Sequence, residues 1–305
     1  MKIAFVAEHV AFTDGWNTPK GIHLALENLG HDNIPFGYDP NDCNFDDLIK
    51  SQDKYDFIIM WTCGQHPSLD REISTLKKRT SKKIIMEVGD EPQTKWMNVN
   101  RVSHVDAVFT PDLRCHLDYK SRGINSYWLV SWGDESVFYY DESIVRENRC
   151  VTTCGNREGV DILQSKLGNL FVNRRIPSEE NHDFYNSGTI CFQRSSSDQV
   201  TRRVFEAGGC KLAVVNNNCC YESGLNRLFK HGEDILYYEN TEEALHHINN
   251  LIKDHDYRNY LSSNIYNKVN KYHRAERRAN QLLDIYKELI GSEKISDDFY
   301  YGFDL

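Results

Sequence analysis

The sequence predicts an α/β protein made of two units of one kind, and three observations predict it. Short β-branched or aromatic runs alternate along the chain with helix-length amphipathic segments, the pattern of a parallel sheet with helices on both faces. The chain has 305 residues, more than one core usually carries, and chains of this length divide into domains of roughly 150 residues. A polar, acidic stretch at 134–148 interrupts the alternation once, after which it restarts.

In the first half, the apolar runs KIAFV, FIIMWT and KKIIMEV anchor strands over 3–7, 56–62 and 83–88, with further strands over 33–36, 106–110 and 126–130. Apolar residues spaced by three and four predict helices over 20–29, 45–50, 68–79 and 112–122, the last closed by Gly123. After the break the strands are 150–154, 169–172, 188–192, 212–216 and 234–238, and the helices 159–167, 199–207 and 241–252. From Asp256 the pattern is helical almost to Ile290, in two pieces bent near Tyr272 and His273, before an acidic aromatic tail at 292–305. The expected divisions are a Rossmann-like domain over 1–133, a second over 134–272, and a C-terminal helix and tail over 273–305 that packs on the first domain. In open parallel sheets ligands bind beyond the carboxyl ends of the strands, so two such domains are expected to face each other across a cleft.

Composition narrows the function. Acidic residues outnumber basic ones, 45 to 36, for a net charge of −9, which argues against broad capture of phosphate backbones or anionic lipid. No apolar stretch reaches the roughly 18 residues a spanning helix needs, and the opening residues lack a secretory leader, so the expected address is cytoplasmic, the host cytoplasm for a phage-encoded chain. The nine cysteines form no CxxC pair and suit reduced thiols; Cys150 and Cys154 read as small core residues, and no zinc site is assigned. The dinucleotide fingerprint G-x-G-x-x-G is missing after the first strand, as are the phosphate-loop motif and the G-x-S-x-G nucleophile elbow.

The most informative segment is SSSDQVTRRVFEAGGCKLAVVN at 195–216. Its R-x-F-E-A pattern, carried by Arg203, Phe205, Glu206 and Ala207, resembles the retaining GT-B glycosyltransferases and most closely their small spore-maturation-protein-like (CgeB-like) branch. Seven residues separate Asp198 from Glu206, similar to that family's acid-x7-acid spacing. TTCGNR at 152–157 resembles the strand and glycine turn that open the family's nucleotide-binding domain, and 231–258 resembles its strand, helix and acidic turn. The resemblance spans about 125–290; over the first domain it is one of architecture rather than motif.

The resemblance implies a nucleotide-diphosphate sugar as donor, a UDP-sugar first among candidates, no cofactor, and no metal. It places Asp198 beside the donor sugar and Glu206 on the ribose. A carboxylate only accepts hydrogen bonds, so Glu206 can receive both ribose hydroxyls. Helix N-terminal amides starting near Gln199, with Arg202 or Arg203, can stabilise a diphosphate leaving group; the sequence does not choose between the two arginines. Gly155 and Arg157, just past a strand end, form a second candidate phosphate clamp. The competing reading of Glu206 is a helical ion pair with Arg202 or Arg203, at spacings of four and three.

In the first domain, EVGDEP at 87–92 follows an apolar strand, so Asp90 and Glu91 are expected to emerge at its carboxyl end, where a carboxylate can orient an acceptor hydroxyl. His9 and His66 follow strands at analogous positions, and the loop at 12–20, with Asp14 and Trp16, replaces the family's glycine-rich loop; all four are candidate acceptor-side residues, the histidines equally open to structural roles. Gly208-Gly209-Cys210-Lys211 departs from the family's small-small-Cys-Gly and is expected to alter the turn beside the diphosphate. Asp254-His255-Asp256 has the D-x-D form of metal-dependent transferases, but Asp256 is a natural N-cap, and metal binding is not assigned.

The resulting expectation is a metal-independent, retaining glycosyltransferase acting on a hydroxyl acceptor, as a monomer or homodimer. The acceptor is a carbohydrate or a hydroxymethylated DNA base of the phage type; a DNA acceptor needs a basic surface, and Lys77, Lys78, Arg79, Lys82 and Lys83 are the only dense basic run. A nucleotide-sugar epimerase of the same plan and a catalytically silent nucleotide- or sugar-binding protein are the alternatives.

Overall fold

The computed structural model describes the chain apart from 14–16, 40–42, 63–66, 178–179, 196, 219, 297–298 and 301–305, and apart from the side chains of Pro67, Cys220 and Tyr221. It contains two compact units, one formed by Met1–Val130 with Ala275–Phe299 and the other essentially by Ser131–Arg274.

The first unit is a six-stranded sheet in which every pairing is parallel: β1 (Lys2–Glu8), β2 (Asp32–Tyr38), β3 (Phe57–Thr62), β4 (Ile84–Val88), β5 (Ala107–Thr110) and β6 (Ser126–Trp128), in spatial order β2-β1-β3-β4-β5-β6. Strands β3 and β4 are buried along their whole length, which is why they read as continuous apolar runs rather than alternating ones. Ile58, Met60, Ile84, Met86 and Val108 face helix Pro67–Arg79 and its neighbours in one core. Helix Ala275–Leu289 belongs to this unit although it lies at the far end of the chain. Arg278 donates from Nε to the Val130 carbonyl at 2.7 Å, Tyr127 donates to Glu288 at 2.6 Å, and Tyr286 stacks on Phe57 with ring centres 4.0 Å apart.

The second unit is a five-stranded parallel sheet of β7 (Cys150–Thr152), β8 (Phe171–Asn173), β9 (Ile190–Gln193), β10 (Ala213–Asn217) and β11 (Leu236–Tyr238), ordered β11-β10-β9-β7-β8. Its core gathers Cys150, Cys154, Phe171, Phe192, Val215 and Leu261, so both cysteines are packing residues. The glycine pair of the FEAGG segment serves close helix packing. A Cβ on Gly208 would stand 2.8 Å from Val269, and one on Gly209 would stand 2.7 Å from the Phe138 carbonyl and 2.8 Å from Arg274. Helix His255–Tyr272 is thereby seated against helix Arg202–Gly209. No helix among the described residues is long and apolar enough to cross a membrane.

Candidate functional site

Because its strands are parallel, the second sheet ends all of them on one edge, and the loops leaving that edge carry the residues with chemistry. After β7 the chain reaches Gly155 at φ +64°, a left-handed conformation that glycine adopts without strain. The side chain of Asn173, the last residue of β8, holds this turn from both sides: its Oδ1 accepts from the Gly155 amide at 3.2 Å and its Nδ2 donates to the Gly155 carbonyl at 2.9 Å. Arg157 follows, half-buried, with a buried Nε that has no hydrogen-bond partner. It lines a cavity of about 600 Å³ with Asn156, Glu158, Asp161, Gln164 and Asn173.

Helix Arg202–Gly209 starts later than its sequence suggests. Ser197 and Asp198 both take positive φ, +55° and +50°, forming a tight turn, and the helix expected from residue 199 begins only at Arg202, with Thr201 as its N-cap. The Thr201 hydroxyl oxygen is buried without a partner. Asp198 therefore stands in a turn ahead of the helix rather than at its entrance. Asn217, at the end of β10, ties that turn down: its Oδ1 accepts from the amide and hydroxyl of Ser195 at 2.7 and 3.1 Å, and its Nδ2 donates to Asp198 at 3.5 Å.

Glu206 is 1% exposed. Arg202 donates to its Oε1 at 2.6 Å and Tyr185 donates to its Oε2 at 3.3 Å, so the helical ion pair forms, and it forms with Arg202. Arg203 makes no hydrogen bond or ion pair among the described residues. The Tyr185 hydroxyl also lies 3.3 Å from Thr153 Oγ1, at the mouth of β7. Burial first, then the Glu206 charge, pushes the Tyr185 hydroxyl far above its ordinary range, with Arg203 opposing. A carboxylate holding two donors still has lone pairs able to accept further hydrogen bonds.

The first unit corrects the reading of EVGDEP. Asp90 is exposed, at φ +55°, but Glu91 turns inward and is fully buried. Its carboxylate accepts from Thr110 at 2.5 Å, from Asn98 at 3.0 Å and from the Tyr119 hydroxyl, which makes it a structural clamp between β5 and the helices before and after it, Lys95–Arg101 and Leu113–Ser121. Glu87 is the unexpected acid. It is 7% exposed, and its Oε2 is buried without a partner. Burial, and after it the charges of Asp90 and Glu91, hold its carboxyl well above the usual range. His9, after β1, is exposed and lies over Gly37, where a Cβ would come within 2.1 Å of its ring. Asp14, Trp16 and His66 fall outside the described residues.

Three further expectations change. Three cations of the basic run are paired locally: Lys77 and Lys83 with Asp106 at 2.6 and 3.3 Å, and Arg79 with Asp46 at 2.6 Å. Asp254, not Asp256, caps the following helix, accepting from the Tyr257 amide. Lys211 lies ahead of β10, at the amino end of the second sheet, so the altered turn is remote from the edge that carries Gly155 and Glu206. Tyr185, Asn173, Asn217 and Glu87 are the residues sequence reasoning missed. For the two asparagines the available signal was a polar amide at the very end of an apolar strand.

Residues 142–284 match a family described as glycosyl transferase-like. The whole fold is similar to a sucrose-phosphate synthase from Thermosynechococcus elongatus, with a TM-score of 0.68 and 13% identity, covering 96% of this chain and all of that one. An α-glucosyltransferase solved with UDP and a 13-mer DNA containing an HMU base superposes with a TM-score of 0.67 at 10% identity, covering 94% and 99% of the two chains. HepE from Anabaena, solved with UDP, gives 0.65 at 14% identity, covering 94% and 100%. No curated protein matches the sequence. Two parallel-sheet, Rossmann-like units spanning the full length of these structures define the GT-B fold. Residues 142–284, just under half of the chain, are thus similar to a glycosyl transferase-like family, and the chain as a whole has the GT-B fold.

Proposed function

We propose that the protein transfers a sugar from a nucleotide diphosphate, a UDP-sugar in the first instance, to a hydroxyl acceptor, without a metal and with retention of configuration. The observation that carries this reading is the buried carboxylate of Glu206, anchored by Arg202 and Tyr185 yet with acceptor capacity left, on the strand-end edge that also presents Arg157 and Arg203 without acid partners. Glu206 accepts the ribose hydroxyls. Arg157 and Arg203 supply positive charge to the diphosphate as the glycosidic bond breaks, the step at which leaving-group charge develops. Gly155 lets backbone approach the phosphates, and Asp198, fixed by Asn217, faces the donor sugar.

On the acceptor side Asp90 replaces Glu91 as the carboxylate able to orient a hydroxyl, with His9 beside the end of β1. A carbohydrate acceptor is favoured, because three of the five cations in the lysine-rich run that a duplex would need, Lys77, Lys83 and Arg79, are held by Asp106 and Asp46. A hydroxymethylated base is the second reading, suggested by the likeness to the DNA-bound α-glucosyltransferase.

Thermal shifts of the wild type, Glu206→Ala and Arg157→Gln against UDP, GDP, ADP, CDP and dTDP, with magnesium and with chelator, test the donor assignment. Stabilisation by UDP that both substitutions weaken and chelation leaves intact is expected. Donor turnover with sugars or hydroxymethylated duplex DNA then selects the acceptor, and NMR of the product anomer tests retention. A UDP shift that appears only with magnesium overturns metal independence, and no shift with any nucleotide overturns the donor site.

A further inference from the structure

At the amino ends of β9 and β10, the opposite edge of the second sheet from the donor-site loops, lies a separate cavity of about 410 Å³. Arg146, Lys211 and Arg258 supply its charge, and Thr189, Asn259, Ser262 and Ser263 supply hydroxyls and an amide. No carboxylate lines it, and none of the three cations forms an ion pair among the described residues, in a chain whose net charge is −9.

The cations are fixed in place by neutral groups only. Arg146 donates to the Lys211 and Cys210 carbonyls at 3.0 and 2.6 Å and to the Asn186 side-chain oxygen, and its guanidinium lies 4.4 Å from the centre of the Tyr140 ring. Arg258, 7% exposed, donates to Asn148 Oδ1 at 2.6 Å and to the Leu251 carbonyl at 2.9 Å. In both arginines Nε is buried with no acceptor. The Lys211 ammonium rests over Tyr140, 4.8 Å from the ring centre. Asp141, which acts on Arg146 from a distance, has its Oδ1 taken by the amide and hydroxyl of Ser143.

Burial pushes both guanidinium pKa values down from the ordinary arginine range, the mark of positive charge removed from water without a matching anion. Lys211 adds a backbone cost, because φ is +59°, a conformation glycine would hold freely. A strained, unpaired lysine beside two under-satisfied arginines indicates a place where a dianion completes the arrangement. The volume exceeds that of a bare phosphate, and the hydroxyl and amide lining suits a polyol.

We propose that this cavity is a binding site for a small phosphate monoester of a polyol, such as a sugar phosphate, held by Arg146, Lys211 and Arg258 and distinct from the donor site.

Isothermal titration of the full chain with glucose 6-phosphate, inorganic phosphate and glucose tests it, on the wild type, Lys211→Gly and Arg258→Gln. Lys211→Gly removes the ammonium while relieving the backbone, so its fold is expected to be retained, and its melting temperature checks this. The expected result is one-to-one binding of glucose 6-phosphate, tighter than inorganic phosphate, weakened by salt, and roughly ten- to a hundred-fold weaker in Lys211→Gly. Absence of binding in the wild type overturns the proposal. So does glucose 6-phosphate binding that persists in Lys211→Gly, which would place the anion at the donor edge, and so does equal affinity for inorganic phosphate, which would remove the polyol.

Discussion

Arg202 and Tyr185 grip opposite oxygens of Glu206, at 2.6 and 3.3 Å, inside a unit where that carboxylate is 1% exposed. Two donors from two different helices fix the carboxylate's plane before any ligand arrives. If Glu206 accepts the ribose hydroxyls as proposed, that fixed plane reduces the ordering cost of binding.

Removing one of the two donors tests that arrangement. Tyr185→Phe is expected to weaken UDP binding several-fold and to cost about 1 kcal/mol of stability, the net worth of one hydrogen bond. Titration calorimetry and urea unfolding report the two effects separately. A Tyr185→Phe protein that binds UDP like the wild type would mean the tyrosine does not position the acid.

Asn217 touches Ser195 and Asp198 and so acts on the turn between β9 and helix Arg202–Gly209. Asn217→Ala is expected to lower kcat at least ten-fold while UDP affinity changes by less than about three-fold, since it loosens Asp198, the residue proposed to face the sugar, and leaves Glu206 and Arg157 in place. Equal losses in kcat and nucleotide affinity would instead indicate collapse of the whole edge.

Glu87 gives the first unit a distinctive pH response. Its folded-state pKa is raised by burial and by Asp90 and Glu91, so between the ordinary carboxylate range and that raised value the folded state binds more protons than the unfolded one. Stability attributable to Glu87 is thus complete at acid pH and declines as pH rises. Glu87→Gln is expected to flatten that decline, raising Tm at pH 8 relative to the wild type more than at pH 5. Differential scanning fluorimetry across pH checks it.

Asp106 has the opposite sign. Burial alone would raise its pKa, but Lys77, the Ile84 amide and Lys83 outweigh this and hold it below the usual value. Its contribution is present above the ordinary carboxylate pKa and is lost as pH falls through the lowered one. Asp106→Asn is expected to cost about 1–2 kcal/mol at pH 7, shrinking toward pH 3, and to release Lys77 and Lys83. If that variant gains salt-sensitive affinity for duplex DNA while the wild type has none, the surface is basic only in the absence of its structural acid.

The strand series was legible because fully buried parallel strands such as Phe57–Thr62 and Ile84–Val88 leave continuous apolar runs, and each helix between them has an amphipathic period. The carboxyl-end loops were legible as places but not as conformations. Nothing in GDEP distinguishes an acid that emerges from one that turns inward, because the difference lies in Thr110 and Tyr119, 19 and 28 residues further on, which with the nearer Asn98 satisfy Glu91. The same holds for Asp198. Two successive positive φ values delay the helix, and the asparagine that holds the turn comes 19 residues later. The Arg202–Glu206 spacing, by contrast, was read correctly as a possible pair from helical geometry alone, since both partners share one element.

The placement of helix Ala275–Leu289 makes the first unit discontinuous, assembled from both ends of the chain. During synthesis the six strands of that unit leave the ribosome first, yet Phe57, Tyr127 and the Val130 carbonyl must wait for Tyr286, Glu288 and Arg278. The second unit is nearly contiguous and can reach its native contacts earlier, so the part made first is the part finished last. Such long-range closure raises contact order and slows folding. It also leaves the incomplete sheet with an uncovered apolar face for the whole translation of the segment between, the interval in which chaperone capture or aggregation competes with folding.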